Sequence, residues 1–235
     1  RNVAVGYQAL TTQNAGADAY NVAVGFYAGT NITTGTLNTI VGGLAGDALT
    51  TGNSNVAMGY QALTNETAGD RNVAIGFSAL SNQNYGSDAD TYNVAVGYNA
   101  GTGMTTGITN TLIGGVAGDS LTAGSDNVAI GYAALATEDA HGKNVAVGYK
   151  ALETQDAGAD ARNVAVGYES GHDVTTGIKN VFVGNSAGEK VTEGQYNTLL
   201  GANAGDALTT GDNNIVIGYN AAASAVGVDN TITLG

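Results

Sequence analysis

Short apolar runs alternate with polar, glycine-rich stretches along the whole chain, and one repeated unit accounts for nearly all of them. The unit is Asn, three apolar or Thr residues and Gly, as in Asn2-Val-Ala-Val-Gly6. Most units start 17 residues apart, and a truncated fourteenth start lies at Asn230. The thirteen complete units start at Asn2, Asn21, Asn38, Asn55, Asn72, Asn93, Asn110, Asn127, Asn144, Asn163, Asn180, Asn197 and Asn214. A register this strict predicts stacked structural repeats that form a single domain over residues 1–235.

The apolar part of each unit has the features of a short β-strand. Its first and third residues are mostly β-branched, which favours extended backbone, and the run is too short for a helix. Side chains alternate across a strand, so Val3 and Val5 share one face and Ala4 lies on the other. Both faces are apolar, which is typical of a strand covered on both sides. One face of the strand would pack against the interior of its own coil and the other against a sister copy of the chain. We expect a lone chain to leave the face that carries Ala4 exposed.

The glycine that ends each run predicts a turn, because Gly adopts positive φ without steric cost. A second extended segment follows in many units, as in residues 48–52 and 174–177. We therefore predict an all-β fold, a parallel β-solenoid or β-roll of about 13 coils, mostly 17 residues long. The repeated Asn side chains would lie above one another and form a hydrogen-bonded ladder.

A longer period of four coils is superposed on the short one. The spacings add up to blocks of 70, 72 and 70 residues, and each block opens with a lengthened unit. The extra residues are similar in the three blocks, over 13–18, 83–88 and 155–160. Asp18, Asp88 and Asp160 each fall sixteen residues after the Asn of their unit, so we expect them to be equivalent.

Composition excludes several kinds of protein. The chain has 37 Gly but no Pro, Cys or Trp, which rules out disulfides and thiolate metal sites. Its net charge of −13 argues against nucleic-acid partners, and no apolar run is long enough for a membrane span. Because the repeat continues to both ends of the sequence, we expect either a segment of a longer fibre or subunits that stack end to end into filaments.

The repeat resembles a known family. Asn2-Val-Ala-Val-Gly-Tyr-Gln-Ala9 and Asn38-Thr-Ile-Val-Gly-Gly-Leu-Ala45 are similar to the head repeats of YadA-like trimeric autotransporter adhesins. The spacing of Thr-Thr-Gly and the next Asn is also similar to repeats of bacteriophage tail fibres and bacterial surface fibres. The resemblance implies a left-handed, intertwined homotrimer at the cell surface or on a virion. It implies a non-catalytic structural or adhesive protein, the shaft or head of an extracellular fibre, with a surface glycan or protein receptor as a further partner.

Candidate chemistry is sparse. No catalytic motif is present, and His141 and His172 occupy different positions of their units, so we expect surface residues and no enzyme. We expect no cofactor. Calcium is the one metal that the acidic residues suggest, and the weak candidates are Asp18, Asp88, Asp160, Asp47, Asp119 and Asp206.

The main alternative is a monomeric ligand-binding solenoid, which would bind ice or calcium. Thr pairs such as Thr50-Thr51 and Thr175-Thr176 share one register and could order water, although several units lack them. An aromatic column five residues after the Asn, which includes Tyr60 and Phe77, could stack on sugars or pack within and between chains. The lengthened loops carry Tyr20, Tyr85 and Tyr92, and either bind a partner or are tolerated insertions.

Overall fold

A three-residue β-strand recurs once in every coil of the computed structural model, which describes residues 1–223 and 225–235. The predicted class is confirmed, since these residues form an all-β parallel solenoid with about 17 residues per coil. The strands are β1 Val3–Val5, β2 Val22–Val24, β3 Thr39–Val41, β4 Val56–Met58, β5 Val73–Ile75, β6 Val94–Val96, β7 Thr111–Ile113, β8 Val128–Ile130, β9 Val145–Val147, β10 Val164–Val166, β11 Val181–Val183, β12 Thr198–Leu200, β13 Ile215–Ile217 and β14 Ile232–Leu234.

The chain falls into two compact units, Arg1–Ala123 and Gly124–Gly235. In the first unit, β1 to β7 pair as parallel neighbours in chain order, with Val22 opposite Thr39 for example. In the second unit, β8 to β14 pair in the same way, with Val164 opposite Val181. Within each unit, equivalent positions of successive repeats therefore lie above one another. The single domain over residues 1–235 stays a prediction.

The turn glycine is required for two reasons. Its φ is positive, 134° at Gly6 and 146° at Gly25, which confirms the predicted turn. The coils also approach closely here, since a Cβ at Gly6 would lie 2.3 Å from the carbonyl oxygen of Gly25. Any side chain would therefore both strain the backbone and push the coils apart.

The middle residue of each strand from β2 to β13 is buried and points into the coil. Ala23, Ile40 and Ala57 are fully buried, whereas Val24 and Met58 are 36% and 40% exposed. The expectation that a lone chain exposes the Ala4-type face is therefore wrong. The chain folds back over the middle side chain after the turn, so the two flanking side chains face outward.

The second extended segment is not a strand. Residues 48–52 and 174–177 form turns and bends, so each coil has one strand where the sequence predicted two. These segments are still tied to the next coil, because the backbone N–H of Thr33 donates to the carbonyl of Thr50 at 2.9 Å. One inter-coil hydrogen bond every few residues is too sparse to make a regular ladder of strands.

The repeated Asn side chains bond to backbone in two directions. Oδ1 of Asn38 accepts the backbone N–H of Asn55 at 2.9 Å, and its Nδ2 donates to the carbonyl of Gly52 at 2.8 Å. Asn21, Asn180 and Asn197 repeat this pattern. Each of these four Asn side chains therefore closes its own coil and fixes the position of the next coil along the stack. At Asn72 and Asn144, which open lengthened coils, Nδ2 is buried without a hydrogen-bond partner among the described residues, so the coil is not closed in this way.

The last repeat starts one residue later than the sequence suggested. Thr231, rather than Asn230, lies above Asn214, whose Oδ1 accepts from both the backbone N–H and the hydroxyl of Thr231 at 3.1 and 2.8 Å. Asn230 instead occupies the left-handed position before the ladder residue, with φ of 55°. The final spacing is thus 17 residues, as in most coils.

Candidate functional site

The outward surface of the strands is the main candidate for a functional surface. We call it the sheet face, and it consists of the first and third residues of each strand together with the aromatic column. Its aromatic side chains are about half exposed, for example Phe26 and Tyr132 at 54% each, and its strand side chains are less exposed, for example Val24 at 36%. None of the 20 acidic and 7 basic residues of the chain lies on the sheet face. Each unit therefore presents a continuous uncharged and largely apolar surface.

The aromatic rings of the sheet face stack on one another. Phe77 lies between Tyr60 and Tyr98, with ring centroids 5.6 and 5.4 Å apart and planes 22° and 15° from parallel. Tyr149 lies in the same way between Tyr132 and Tyr168, at 5.6 and 5.1 Å. Sugar binding by stacking needs a free ring face, and the central rings have none. The arrangement favours packing over sugar recognition.

The six candidate aspartates are not brought together. Three of them pair with a basic side chain: Asp18 with Arg1, Asp160 with Lys143 and Asp206 with Lys190. Asp47 accepts the hydroxyl proton of Thr64, and burial raises the pKa of Asp119 despite hydrogen bonds from the backbone. Calcium binding by these residues stays a prediction.

The structure also corrects the alignment of the lengthened units. In the first block, Asp18 bonds to Arg1, and in the second block the residue that bonds to Arg71 is Asp90, not Asp88. The two extra residues of the second lengthened coil come before this position, so Asp88 is displaced into the exposed part of the loop. Counting from the preceding Asn therefore aligned Asp88 with residues to which it is not equivalent.

Glu66 is a buried, hydrogen-bonded carboxylate that the sequence did not reveal. Its side chain is fully buried, and Oε1 accepts three consecutive backbone N–H groups from residues 67–69 at 2.8–3.1 Å. Oε2 accepts from Gln83 and from the backbone N–H of Tyr85, at 3.1 and 3.3 Å, in the next, lengthened coil. Glu66 thus closes a turn in one coil and holds the longer loop of the next.

Glu138 and Gln155 occupy the corresponding positions in the second unit, but the hydrogen bonds are longer. Glu138 is also fully buried, and it accepts from the backbone N–H of His141 at 3.3 Å and from Gln155 at 3.4 Å. Burial raises the pKa of Glu138, an effect that the hydrogen bond from His141 only partly offsets and that the charge of Asp156 reinforces.

One group of potential metal ligands occurs in the described part of the chain. It consists of Glu138, Asp139, His141 and Asp156, whose ligand atoms lie within 4.8 Å of one another. None of the six predicted aspartates belongs to it. At the equivalent places the first unit has Glu66, Thr67, Gly69 and Asn84, so the second unit gathers ionisable groups where the first has mostly neutral ones.

His172 is clamped between two carboxylates rather than free on the surface. Its Nδ1 and Nε2 lie 2.6 Å from Asp173 and from Glu153 of the preceding coil. Burial lowers the pKa of His172, but the two hydrogen bonds outweigh burial and raise it overall. The imidazole therefore joins two coils and is positioned to titrate.

The first Thr of each pair uses its hydroxyl inside the protein. Thr50 Oγ1 donates to the carbonyl of Thr67 at 2.9 Å, and Thr33 and Thr175 bond in the same way to the next coil. The hydroxyl proton is therefore not available to water. This weakens the argument for an ice-binding surface.

The tyrosines of two lengthened loops contact basic side chains. Arg1 lies over the ring of Tyr20 at 5.8 Å, and Arg71 lies over the ring of Tyr92 at 5.5 Å. Both tyrosines remain about half exposed. These contacts give the loops a defined conformation, and a partner for them stays a prediction.

Residues 1–223 and 225–235 contain no helix that is long and apolar enough to cross a membrane. No family model matches the chain, and no curated protein or solved structure gives a significant match. The resemblance to trimeric adhesin heads and fibre repeats stays a prediction.

Proposed function

We propose that this chain is a non-catalytic segment of an extracellular fibre, a shaft or an adhesive head on a cell or a virion, in which sister copies cover the sheet face in a homotrimer. The observation that supports the proposal is the uncharged sheet face, whose apolar side chains are partly exposed in both units. Burying apolar surface stabilises an assembly by about 25 cal/mol per Å². Another copy offers an equally uncharged surface to pack against.

The mechanism of such a segment is mechanical. Within each unit, successive coils are tied together by backbone hydrogen bonds and by the buried Asn side chains, so local unfolding would have to break several bonds at once. Acidity keeps the fibres soluble and mutually repelling. Contact with a surface glycan or protein receptor falls to the exposed loops.

The four-coil superperiod fits this role. Glu66 at the end of one block holds the lengthened loop that opens the next, through Gln83 and Tyr85. Glu138 and Gln155 recur at the next such junction. We propose that this pairing sets the interval between successive loops along the fibre.

Light scattering of the purified chain tests the proposal, and three times the chain mass of 23.3 kDa is expected. Val166→Lys adds a charge to a sheet-face position that is already 37% exposed, so the chain should fold but dissociate to monomers. Thr176→Lys is the matched control, because Thr176 is exposed outside the sheet face, and it should stay oligomeric. A monomeric wild-type chain contradicts the proposal.

A further inference from the structure

Three carboxylates and an imidazole converge where one coil of the second unit meets the lengthened coil that follows it. Glu138, Asp139 and His141 lie in the segment after β8, and Asp156 lies in the lengthened coil after β9. The ligand atoms of these four residues all lie within 4.8 Å of one another. Two successive coils therefore contribute to one group of potential metal ligands, and the whole group lies within the second unit.

The imidazole of His141 has a nitrogen atom that the protein leaves without a partner. Nδ1 of His141 is buried and has no hydrogen-bond partner among the described residues. It lies 3.4 Å from Oε1 of Glu138, which is longer than an ordinary hydrogen bond. Two ligands of a tetrahedral zinc ion, each bonded at about 2.0 Å, lie about 3.3 Å apart. The two atoms are therefore separated as two ligands of one metal ion would be.

The carboxylate of Glu138 is buried with little compensation for its charge. Its side chain is fully buried, and the hydrogen bonds that it accepts from the backbone of His141 and from Gln155 are long, 3.3 and 3.4 Å. The negative charge of Asp156 adds to the cost of ionising Glu138. Buried charges in proteins are paired or coordinate metals. A cation between Glu138 and Asp156 would compensate both carboxylates.

The first unit forms the equivalent junction with a single ionisable side chain, Glu66. There, Oε1 of Glu66 is satisfied by three backbone N–H groups at 2.8–3.1 Å. The residues that stand in place of Asp139, His141 and Asp156 are Thr67, Gly69 and Asn84. The second unit thus adds three ionisable ligands at the junction where the buried carboxylate has only long hydrogen bonds.

We infer that a divalent transition-metal cation, for which Zn²⁺ is the best fit, ties two coils together through Glu138, Asp139, His141 and Asp156. The imidazole selects the class of metal, because Ca²⁺ and Mg²⁺ are bound by oxygen ligands, whereas Zn²⁺ combines imidazole with carboxylates. Asp139 and Asp156 are exposed, so the ion can enter from solvent. The inference is independent of the proposed assembly, since none of the four residues lies on the sheet face.

Calorimetric titration of the metal-free chain with Zn²⁺ tests the inference. We expect one saturable site per chain and no site of comparable affinity for Ca²⁺. His141→Gly and Asp156→Asn each introduce the residue that the first unit has at the equivalent place, so both variants should fold. Each should weaken Zn²⁺ binding by more than about tenfold, because losing a ligand costs at least as much as losing one of its outer partners.

Asp88→Asn is the matched control for the loss of one negative charge. Asp88 is exposed in the lengthened loop of the first unit, so this variant should bind Zn²⁺ as the wild-type chain does. Loose attraction of cations to a chain of net charge −13 would fall equally in the two Asn variants. Weak, unsaturable binding that is the same in all variants overturns the inference, and so does a preference for Ca²⁺ that His141→Gly leaves unchanged.

NMR locates the ion and separates loss of a ligand from loss of structure. Zn²⁺ should shift the imidazole resonances of His141, leave those of His172 in place, and slow hydrogen exchange of the backbone over residues 139–141. Urea unfolding without metal should be similar in the wild-type chain and in Asp156→Asn, whereas added Zn²⁺ should raise the urea midpoint of the wild-type chain alone. Zn²⁺ that shifts His172 instead of His141 overturns the inference.

Discussion

The two lengthened coils that follow Glu66 and Glu138 are built from the same residue types but are held differently. Glu66 in the first unit receives five hydrogen bonds of 2.8–3.3 Å, three of them from consecutive backbone N–H groups. Glu138 in the second unit receives longer ones, 3.3 Å from His141 and 3.4 Å from Gln155. Both carboxylates are fully buried. The hydrogen bonds from the equivalent residues, 69 and 83 in the first unit and 141 and 155 in the second, are thus shorter at Glu66 than at Glu138.

The residue three positions after the Glu explains the difference. A Cβ at Gly69 would lie 2.8 Å from Oε2 of Glu66 and 2.9 Å from its carboxyl carbon, so only glycine leaves room for the carboxylate above the three N–H groups. The second unit has His141 at this place, and a Cβ crowds a carboxylate that is seated in this way. The extra carbon atom accounts for the longer hydrogen bond from the N–H of residue 141, 3.3 Å against 2.8 Å from Gly69.

Gly69→Ala should produce the largest change, because it would force the Glu66 carboxylate off its three N–H donors. We expect a loss of about 2–3 kcal/mol in the free energy of unfolding, measured with urea. The matched control is His141→Ala in the second unit, where a Cβ is already present, and it should cost much less. Equal effects of the two variants would contradict the explanation.

Glu66→Gln and Glu138→Gln compare the two carboxylates directly. The new amide would turn an N–H toward Gln83 and the N–H of Tyr85, so Glu66→Gln should cost about 1–3 kcal/mol. Glu138→Gln loses little hydrogen bonding and removes a buried charge, so it should be close to neutral. Hydrogen exchange of residues 67–69 and 139–141 would show each effect locally, and a larger loss at Glu138 would reverse the comparison.

The raised pKa of Glu138 predicts how the stability of the second unit depends on pH. A carboxyl group whose pKa is higher in the folded chain binds more protons when folded, so stability falls as the pH rises from the ordinary pKa of Glu through the raised one. Glu138→Gln should remove this part of the dependence. Urea unfolding from about pH 4 to 7 measures it, and an unchanged slope in the variant would exclude Glu138 as the cause.

Substitution of His172 should change the pH dependence of stability least. Despite burial, the pKa of His172 is raised by hydrogen bonds to two carboxylates, whereas that of Glu138 is raised by burial. Its pKa is raised, so its contribution is fully present below the pKa of the unfolded imidazole and is lost as the pH rises through the folded one. His172→Gln should therefore destabilise the chain slightly in acid, by about 0.3 kcal/mol, and have less effect above the folded pKa, because exposed ion pairs are screened. Titration of the imidazole by NMR gives the pKa, and a value below that of a free His would contradict the prediction.

Periodicity alone predicted the strands, the turn glycines and the 17-residue coil, because these depend on local preferences repeated along the chain. The Glu66 site could not be predicted in this way. A lone Glu in a turn usually lies on the surface, and only the next coil supplies Gln83 and Tyr85 as partners. The substitution of Gly69 by His141 was visible in the sequence, but its meaning depends on where the carboxylate lies.

Several positions adopt left-handed backbone without any signal in the sequence. Leu37 and Leu44 have φ of 60° and 57°, a conformation that costs about 1–2 kcal/mol for a residue with a Cβ. Their backbone N–H groups donate to Ala19 and Phe26 of the preceding coil at 2.8 Å. Contacts between coils therefore stabilise a conformation that the residue types do not favour.

The sequence by itself determined that the chain folds into repeated strands with one apolar residue pair on one face and one apolar residue on the other. Tertiary structure decided that Ala23 faces inward and Val24 outward, since this depends on the direction in which the chain turns after the glycine. It also decided that Thr231 and Asp90, not Asn230 and Asp88, continue their columns. Hydrogen bonds between coils determine which residues lie above one another in the stack. Counting residues along the chain does not identify these residues when the coils differ in length.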